Sequence, residues 1–260
     1  YQDALPTPLV FRVAQMPAQG RYPQHQHPWG EFVYAFCGVI EVKLAGQHVV
    51  APPQLGIWLP PNVAHQGLNR AAALHSSLYV AAPLCAGLPT EPGALAVSPL
   101  ARALLAHLRA EVPTVPPSAE AGRLMQVLVD QLAHATPVGS YLPRSDDPVL
   151  AEILQALEQN PSDPRSLSEW ARAVHCTERT LSRRAQRDLG MSLAEWRQRL
   201  RVVKACPRLQ AGDKVATVAA ELGYQSTSAF IAMFRKMTGM TPDEHRHGQS
   251  GPVQGAPASC

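Results

Sequence analysis

The chain has 260 residues, 46% of them hydrophobic, and a net charge of +3. That is ordinary for a soluble globular protein and long enough for two domains with their own cores. Its five cysteines are scattered and form no C-x-x-C pair, which excludes a disulfide framework or a cysteine zinc site and points to a reducing compartment, the cytoplasm. No apolar run approaches the roughly 18 residues of a membrane span, and no signal peptide is legible, so no membrane partner is expected. From Pro148 onward 15 Lys+Arg stand against 11 Asp+Glu, whereas the preceding part has 8 and 9. A near-neutral front and a basic back is the asymmetry of a chain whose second part meets a polyanion.

In chain order, residues 1–95 read as a β-rich domain. Short runs at Glu31–Phe36, Val39–Leu44, Gln47–Val50, Gly56–Leu59 and Leu74–Val80 are separated by turn signals such as Ala45-Gly46 and Pro60-Pro61-Asn62. Several short strands at close spacing predict a barrel or sandwich. Just before the first of these runs, His25 and His27 stand at i and i+2, on one side of an extended chain, with Glu31 four residues on and His65 after the Pro60-Pro61 turn. Three imidazoles and a carboxylate can bind a divalent transition metal and leave coordination positions open. This pattern resembles the cupin barrel, whose first motif carries H-x-H and a downstream Glu and whose second carries one His. The resemblance implies metal ligands at His25, His27, Glu31 and His65, for zinc, nickel, iron or manganese. Three readings stay open: a bound metal, a metal-free polar effector pocket, or structural histidines. His48 and His75 read as structural, and Trp29, Tyr34 and Trp58 as core rather than pocket lining.

Residues 96–136 turn helical. Ser98 and Pro99 suit a cap and first turn, and Leu100, Leu104, Leu105 and Leu108 form one stripe, Leu124, Val127, Leu128 and Leu132 another. These helices are expected to pack on the barrel, to form a homodimer interface, or both. Residues 137–147 read as a linker and 248–260 as a disordered tail.

Residues 148–247 contain a repeat. Leu167, Trp170, Ala171 and Val174 follow i, i+3, i+4, i+7, and Val215, Val218, Ala219 and Leu222 repeat this 48 residues later. Each stripe is followed by a polar break and a second short helix, with Leu181 and Phe230 in matching positions. Gly190-Met191-Ser192…Glu195 corresponds to Gly239-Met240-Thr241…Glu244, a glycine stop followed by a capping box; Ser166…Glu169 is another. The unit is a helix-turn-helix, twice, joined by a helix bearing Leu193, Trp196, Leu200 and Val203. Pro207 is expected to kink or end that helix.

The region from about Ser166 to Arg246 resembles the DNA-binding domain of AraC/XylS regulators, through Thr180-Leu181-Ser182-Arg183, Ala219-Ala220-Glu221-Leu222-Gly223-Tyr224, Ala229-Phe230…Phe234-Arg235 and Gly239-Met240-Thr241-Pro242. Ala185 departs from the pattern, standing where a bulky aromatic is usual. The resemblance implies double-stranded DNA as partner. Arg179, Ser182 and Arg183 would face base edges, where Arg can donate bidentately to guanine, and Arg184 and Arg187 would face phosphates. In the second unit Thr227, Ser228, Ala229 and Ile231 form a small, weakly polar face suited to positioning. The fold expected is multidomain α+β: a cupin-like barrel, connecting helices and an all-α double helix-turn-helix domain. The function expected is a non-enzymatic transcriptional regulator, commonly an activator contacting RNA polymerase, controlled by a metal or small-molecule effector. The alternative is a metal-dependent cupin enzyme, of dioxygenase or isomerase type, fused to a DNA-binding domain.

Overall fold

The computed structural model describes residues 4–17, 20–68, 73–111 and 114–247; the tail expected to be disordered lies outside them. The first part contains β1 (Leu9–Met16), β2 (Gly30–Cys37), β3 (Ile40–Leu44), β4 (Gln47–Ala51), β5 (Leu55–Leu59), β6 (His65–Leu68), β7 (Ala73–Val80) and β8 (Gly93–Ala96). They form two antiparallel sheets, a five-stranded one in the order β1-β7-β2-β5-β8 and a three-stranded one in the order β4-β3-β6. The five runs read as strands are all strands, and β1, β6 and β8 join them. β8, Gly-Ala-Leu-Ala, and β6, His-Gln-Gly-Leu, lack β-branched and aromatic residues; pairing in the sheet, not local propensity, makes them strands.

Alternation sorts the side chains of the larger sheet. Glu31, Val33 and Ala35 of β2 point one way and Phe32 and Tyr34 the other. The second set joins Leu9, Phe11, Trp58, Leu78 and Val80 in an apolar layer covered by α1 (Pro99–Ala110) and α2 (Ala119–Ala133). Ser98 caps α1 by accepting the Ala101 N–H, and Ser118 caps α2 by accepting that of Ala121. Leu104, Leu105, Leu108, Leu128 and Leu132 are buried as predicted, but the edges of both faces differ. Leu100 is 51% exposed and Val127 40% exposed, while Ala101, Met125 and Val129 are buried.

Residues 137–147 contain no helix or strand, yet they do not hang free. Val138 N–H bonds to Ala94 O at 3.0 Å, Tyr141 N–H bonds to Val50 O at 2.9 Å, and Tyr141 and Leu142 are buried. This strap leads into α3 (Pro148–Gln159), capped by Asp147, then α4 (Leu167–Ala173), α5 (Glu178–Leu189), α6 (Leu193–Gln210), α7 (Val215–Glu221), α8 (Thr227–Thr238) and α9 (Pro242–His247). Reciprocal capping boxes form at Ser166…Glu169 and Thr241…Glu244. At Ser192…Glu195 Ser192 accepts the Glu195 N–H, while the Glu195 carboxylate takes Arg199 at 2.8 Å. Gly190 and Gly239 close α5 and α8 at φ 68° and 78°, in the left-handed region.

Pro207 does not end α6, which runs on to Gln210. It lies in the last turn, so its missing N–H leaves little helix to lose, and its neighbours Cys206 and Leu209 are fully buried. Ala185, like Phe234, is completely buried. One continuous core runs from Val33, Ile40 and Ile57 of the sheets through Tyr141 and Leu142 to Trp170, Trp196 and Phe234. Between β3–β4 and α6 it leaves a cavity of about 200 Å³, lined by Val39, Glu41, His48, Val203, Lys204 and others.

Candidate effector cavity and DNA-reading face

A second cavity, of about 140 Å³, lies between the two sheets. The four residues singled out in the sequence meet at its edge. His25 and His65 bridge backbone to backbone, with N–H to O distances of 3.0 and 2.9 Å, so the segment before β2 lies against the start of β6. Glu31 enters from β2. One ring nitrogen from each of His25, His27 and His65 lies within 4.8 Å of the others.

The tautomers are fixed by geometry. Nδ1 of His25 faces Pro23 O at 2.9 Å, that of His27 faces Trp29 O at 2.8 Å, and that of His65 faces Val63 O at 2.9 Å. A carbonyl oxygen only accepts, so each Nδ1 must donate, and a neutral ring then presents a bare lone pair at Nε2. Yet His27 Nε2 stands 3.1 Å and His65 Nε2 3.6 Å from the same Glu31 oxygen. Acceptors brought this close need a cation between them or a proton on the ring. Burial opposes the Glu31 charge, but hydrogen bonds with His27, His65 and Ser77 outweigh it and hold the carboxyl well below its usual range. Burial likewise opposes a charged His65, and the Glu31 hydrogen bond raises its pKa nonetheless.

Three further polar groups line this cavity and were not legible as site residues: Arg12 of β1 and Ser77 and Tyr79 of β7, with His75 beside them. His75, Ser77 and Tyr79 alternate along β7 and so share its inner face. Burial lowers the His75 pKa. His48 lines the cavity beside α6 and pairs with Glu41 at 3.0 Å. Tyr34 and Trp58 are core, and Trp29 stacks on the His27 ring at 4.9 Å with 5° between planes.

In the helical part α4 and α5 form the first helix-turn-helix, α7 and α8 the second. Thr177 caps α5 by accepting the Thr180 N–H, and Arg179, Ser182 and Arg183 share one exposed face. Beside that face, Arg184 is half-buried and Arg187 exposed. Arg184 makes two 2.8 Å bonds to Asp147, the cap of α3, and Arg187 bonds to Asp147 at 3.1 Å and to Asp188. Arg187 and the Ser145 hydroxyl hold the Asp188 carboxyl down at about 2. On α8, Ser228 and Ala229 are exposed and Thr227 and Ile231 half-buried. A shallow groove there is lined by Ser228, Ile231, Ala232, Arg235, Lys236 and Thr241. Arg235 and Lys236 were missed in the sequence, although Ser228, Ile231 and Arg235 recur at helical spacing.

Comparison with known proteins divides the chain into a ligand-binding and a helix-turn-helix region. Residues 7–169 match the AraC-like ligand binding domain and residues 170–248 a helix-turn-helix domain. The HTH-type transcriptional regulator NimR of Escherichia coli is 34% identical over 223 residues, covering 86% of this chain and 81% of that one. The HTH-type transcriptional regulator RipA of Corynebacterium glutamicum is 36% identical over 99 residues, 38% of this chain and 30% of its own length. The structure of ToxT from Vibrio cholerae aligns over 94% of this chain and 100% of that one, at 12% identity and a TM-score of 0.40. The matched ligand-binding region spans the sheets and cavity, and the matched helix-turn-helix region spans both readers; the chain is a transcriptional regulator of the AraC family.

Proposed function

We propose that the sheet domain senses through a divalent transition metal held by His25, His27, His65 and Glu31, and that the occupied cavity sets how α5 and α8 engage duplex DNA. The supporting observation is the orientation of the rings. Each Nδ1 is tied to a backbone carbonyl, the arrangement that aims Nε2 at a metal and raises its basicity. Zinc, nickel, iron and manganese all accept this donor set. Four protein donors leave the remaining coordination positions, which face the cavity, for a small molecule.

The chain works as a homodimer through α1 and α2, contacts RNA polymerase as an activator, and acts in the cytoplasm, where its DNA is. α5 supplies most of the base discrimination through Arg179, Ser182 and Arg183. α8 positions the protein through small side chains and through Arg235 and Lys236 on phosphates. The 18 residues of α6, about 27 Å of helix, set the spacing of the two readers, compatible with successive major grooves. Switching requires the effector to bind two conformations with different affinity.

Mass spectrometry of the purified protein and of His27→Ala tests the sensor. Wild type should hold close to one equivalent of metal, and the variant less than about a tenth of that. No metal in either, after incubation with zinc, nickel, iron and manganese salts, overturns the metal and leaves His27 and Glu31 as hydrogen-bonded polar lining of a metal-free pocket.

A further inference from the structure

We infer that α8 reads thymine methyl groups: Ile231 and Ala232 form an apolar strip that selects T·A pairs in the half-site under the second unit. This rests on the reading above that α8 engages duplex DNA, and it names the base that the DNA must present there. Three observations support it: the internal comparison of the two units, the order of side chains along α8, and the chemistry of base edges.

The two units can be laid on each other. Leu181 and Phe230 are matching core positions, 49 residues apart, and both are fully buried. The same offset pairs Arg179 with Ser228, Ser182 with Ile231 and Arg183 with Ala232. Both helices have 12 residues, a hydroxyl cap at the start and a left-handed glycine at the end, so their backbones present the paired positions alike. The chemistry at those positions is nevertheless inverted. On α5 they carry two guanidinium groups and a hydroxyl. On α8 they carry a hydroxyl and two apolar side chains, none of which can make a bidentate contact to a base.

Ser228, Ile231, Ala232 and Arg235 recur at i, i+3, i+4 and i+7 and so share one face of α8, away from the buried Phe230, Met233 and Phe234. Ser228 and Ala232 are exposed and Ile231 is half-buried. The shallow groove on this face also takes in Arg235 and Lys236, one turn further on. A reading helix meets base edges with its N-terminal residues, so the cations of the third turn are placed for phosphates and the apolar pair of the second turn for the bases. Base pairs present donors, acceptors and one apolar group in the major groove, the C5-methyl of thymine. Set against guanine acceptors or the cytosine amino group, Ile231 would displace water and return no hydrogen bond. Set against a thymine methyl, it buries apolar surface on both partners. The strip thus favours T·A by contact and disfavours G·C by desolvation.

The test starts from the duplex sequence that the full chain, with and without added metal, selects from a random library; Arg183→Ala marks the α5 half by relaxing it. Deoxyuridine, which is thymidine without the methyl, then replaces thymidine in one half-site at a time, and affinity is read by gel shift. In the α8 half each contacted methyl removed should weaken binding about fourfold, the equivalent of one buried CH2 group. A C·G pair in place of that T·A should weaken it further, and 5-methylcytosine, which puts the methyl back on a cytosine ring, should recover part of the loss. The double variant Ile231→Ser, Ala232→Ser should bind the thymidine and deoxyuridine duplexes equally, while the result with wild type stands without any variant. An α8 half that selects bases other than thymine, deoxyuridine that binds as thymidine does, or a double variant that still tells the two apart overturns the methyl contact while α8 remains a reader. Selection confined to the α5 half, or no selection at all, overturns the engagement of bases by α8 together with it.

Discussion

A Cβ on Gly56 would stand 2.1 Å from the ring of Phe32, and that ring is fully buried and has nowhere to go. Gly56→Ala should therefore cost about 1–3 kcal/mol through overpacking, read as a lower urea midpoint; an unchanged midpoint would contradict the packing described. His245 behaves oppositely to a histidine that gains a partner. Burial lowers its pKa from 6.5 to about 4. Between those values the unfolded chain binds a proton that the folded chain refuses, so stability is fully present above pH 6.5 and drains away as pH falls towards 4, by up to about 3 kcal/mol. Urea midpoints at pH 7.5 and pH 5 should fall more steeply for wild type than for His245→Gln. Parallel slopes would show that His245 is not the proton acceptor.

Among the elements, α5 divides its arginines by face. Arg179 and Arg183 point to solvent, Arg184 is half-buried against Asp147, and Arg187 is exposed but paired with Asp147 and Asp188. Arg183→Ala should weaken binding to a target duplex by about 1–3 kcal/mol and relax base preference. Arg187→Ala should act mainly on the α3–α5 junction and leave base preference intact, as measured with duplexes scrambled one half-site at a time. On β7, the Ser76 hydroxyl is fully buried with no hydrogen-bond partner among the described residues. Ser76→Ala should be neutral or stabilising by about 1 kcal/mol, as thermal melting would show. The helix-turn-helix repeat was legible because its information is local: stripes at helical spacing, Ser and Thr caps, and the stops at Gly190 and Gly239. The histidine cluster was legible for a similar reason, since His25, His27 and Glu31 lie within seven residues. The wall that β1 and β7 give the cavity was not. Arg12 and Ser77 are neighbours only because β1 pairs with β7, and nothing local announces a pairing across that much chain. Helix faces were misjudged where a small residue, Ala101, did the burying and a leucine, Leu100, did not.

Across the whole molecule, the sheets and readers share one core. Gln54, in the turn before β5, donates to Met237 O at 3.2 Å, near the C-terminal end of α8, and Trp196 donates to Pro143 O in the strap at 3.0 Å. The four tryptophans divide evenly, Trp29 and Trp58 in the sheet domain and Trp170 and Trp196 in the helical one. Tryptophan fluorescence and far-UV circular dichroism should therefore report one coincident unfolding transition. Two separated transitions would mean that the shared core is too weak to couple the halves. The strap bears on how this protein can be rebuilt. Because Tyr141 is hydrogen-bonded to β4 and Leu142 is buried in the shared core, residues 137–147 belong to the joint and not to either neighbour. A chimera that grafts a foreign sensor onto these readers must carry its own strap and a β3–β4 surface cut to fit α6. Spliced inside that stretch, it would break the packing of Tyr141 and Leu142 on which both parts rest.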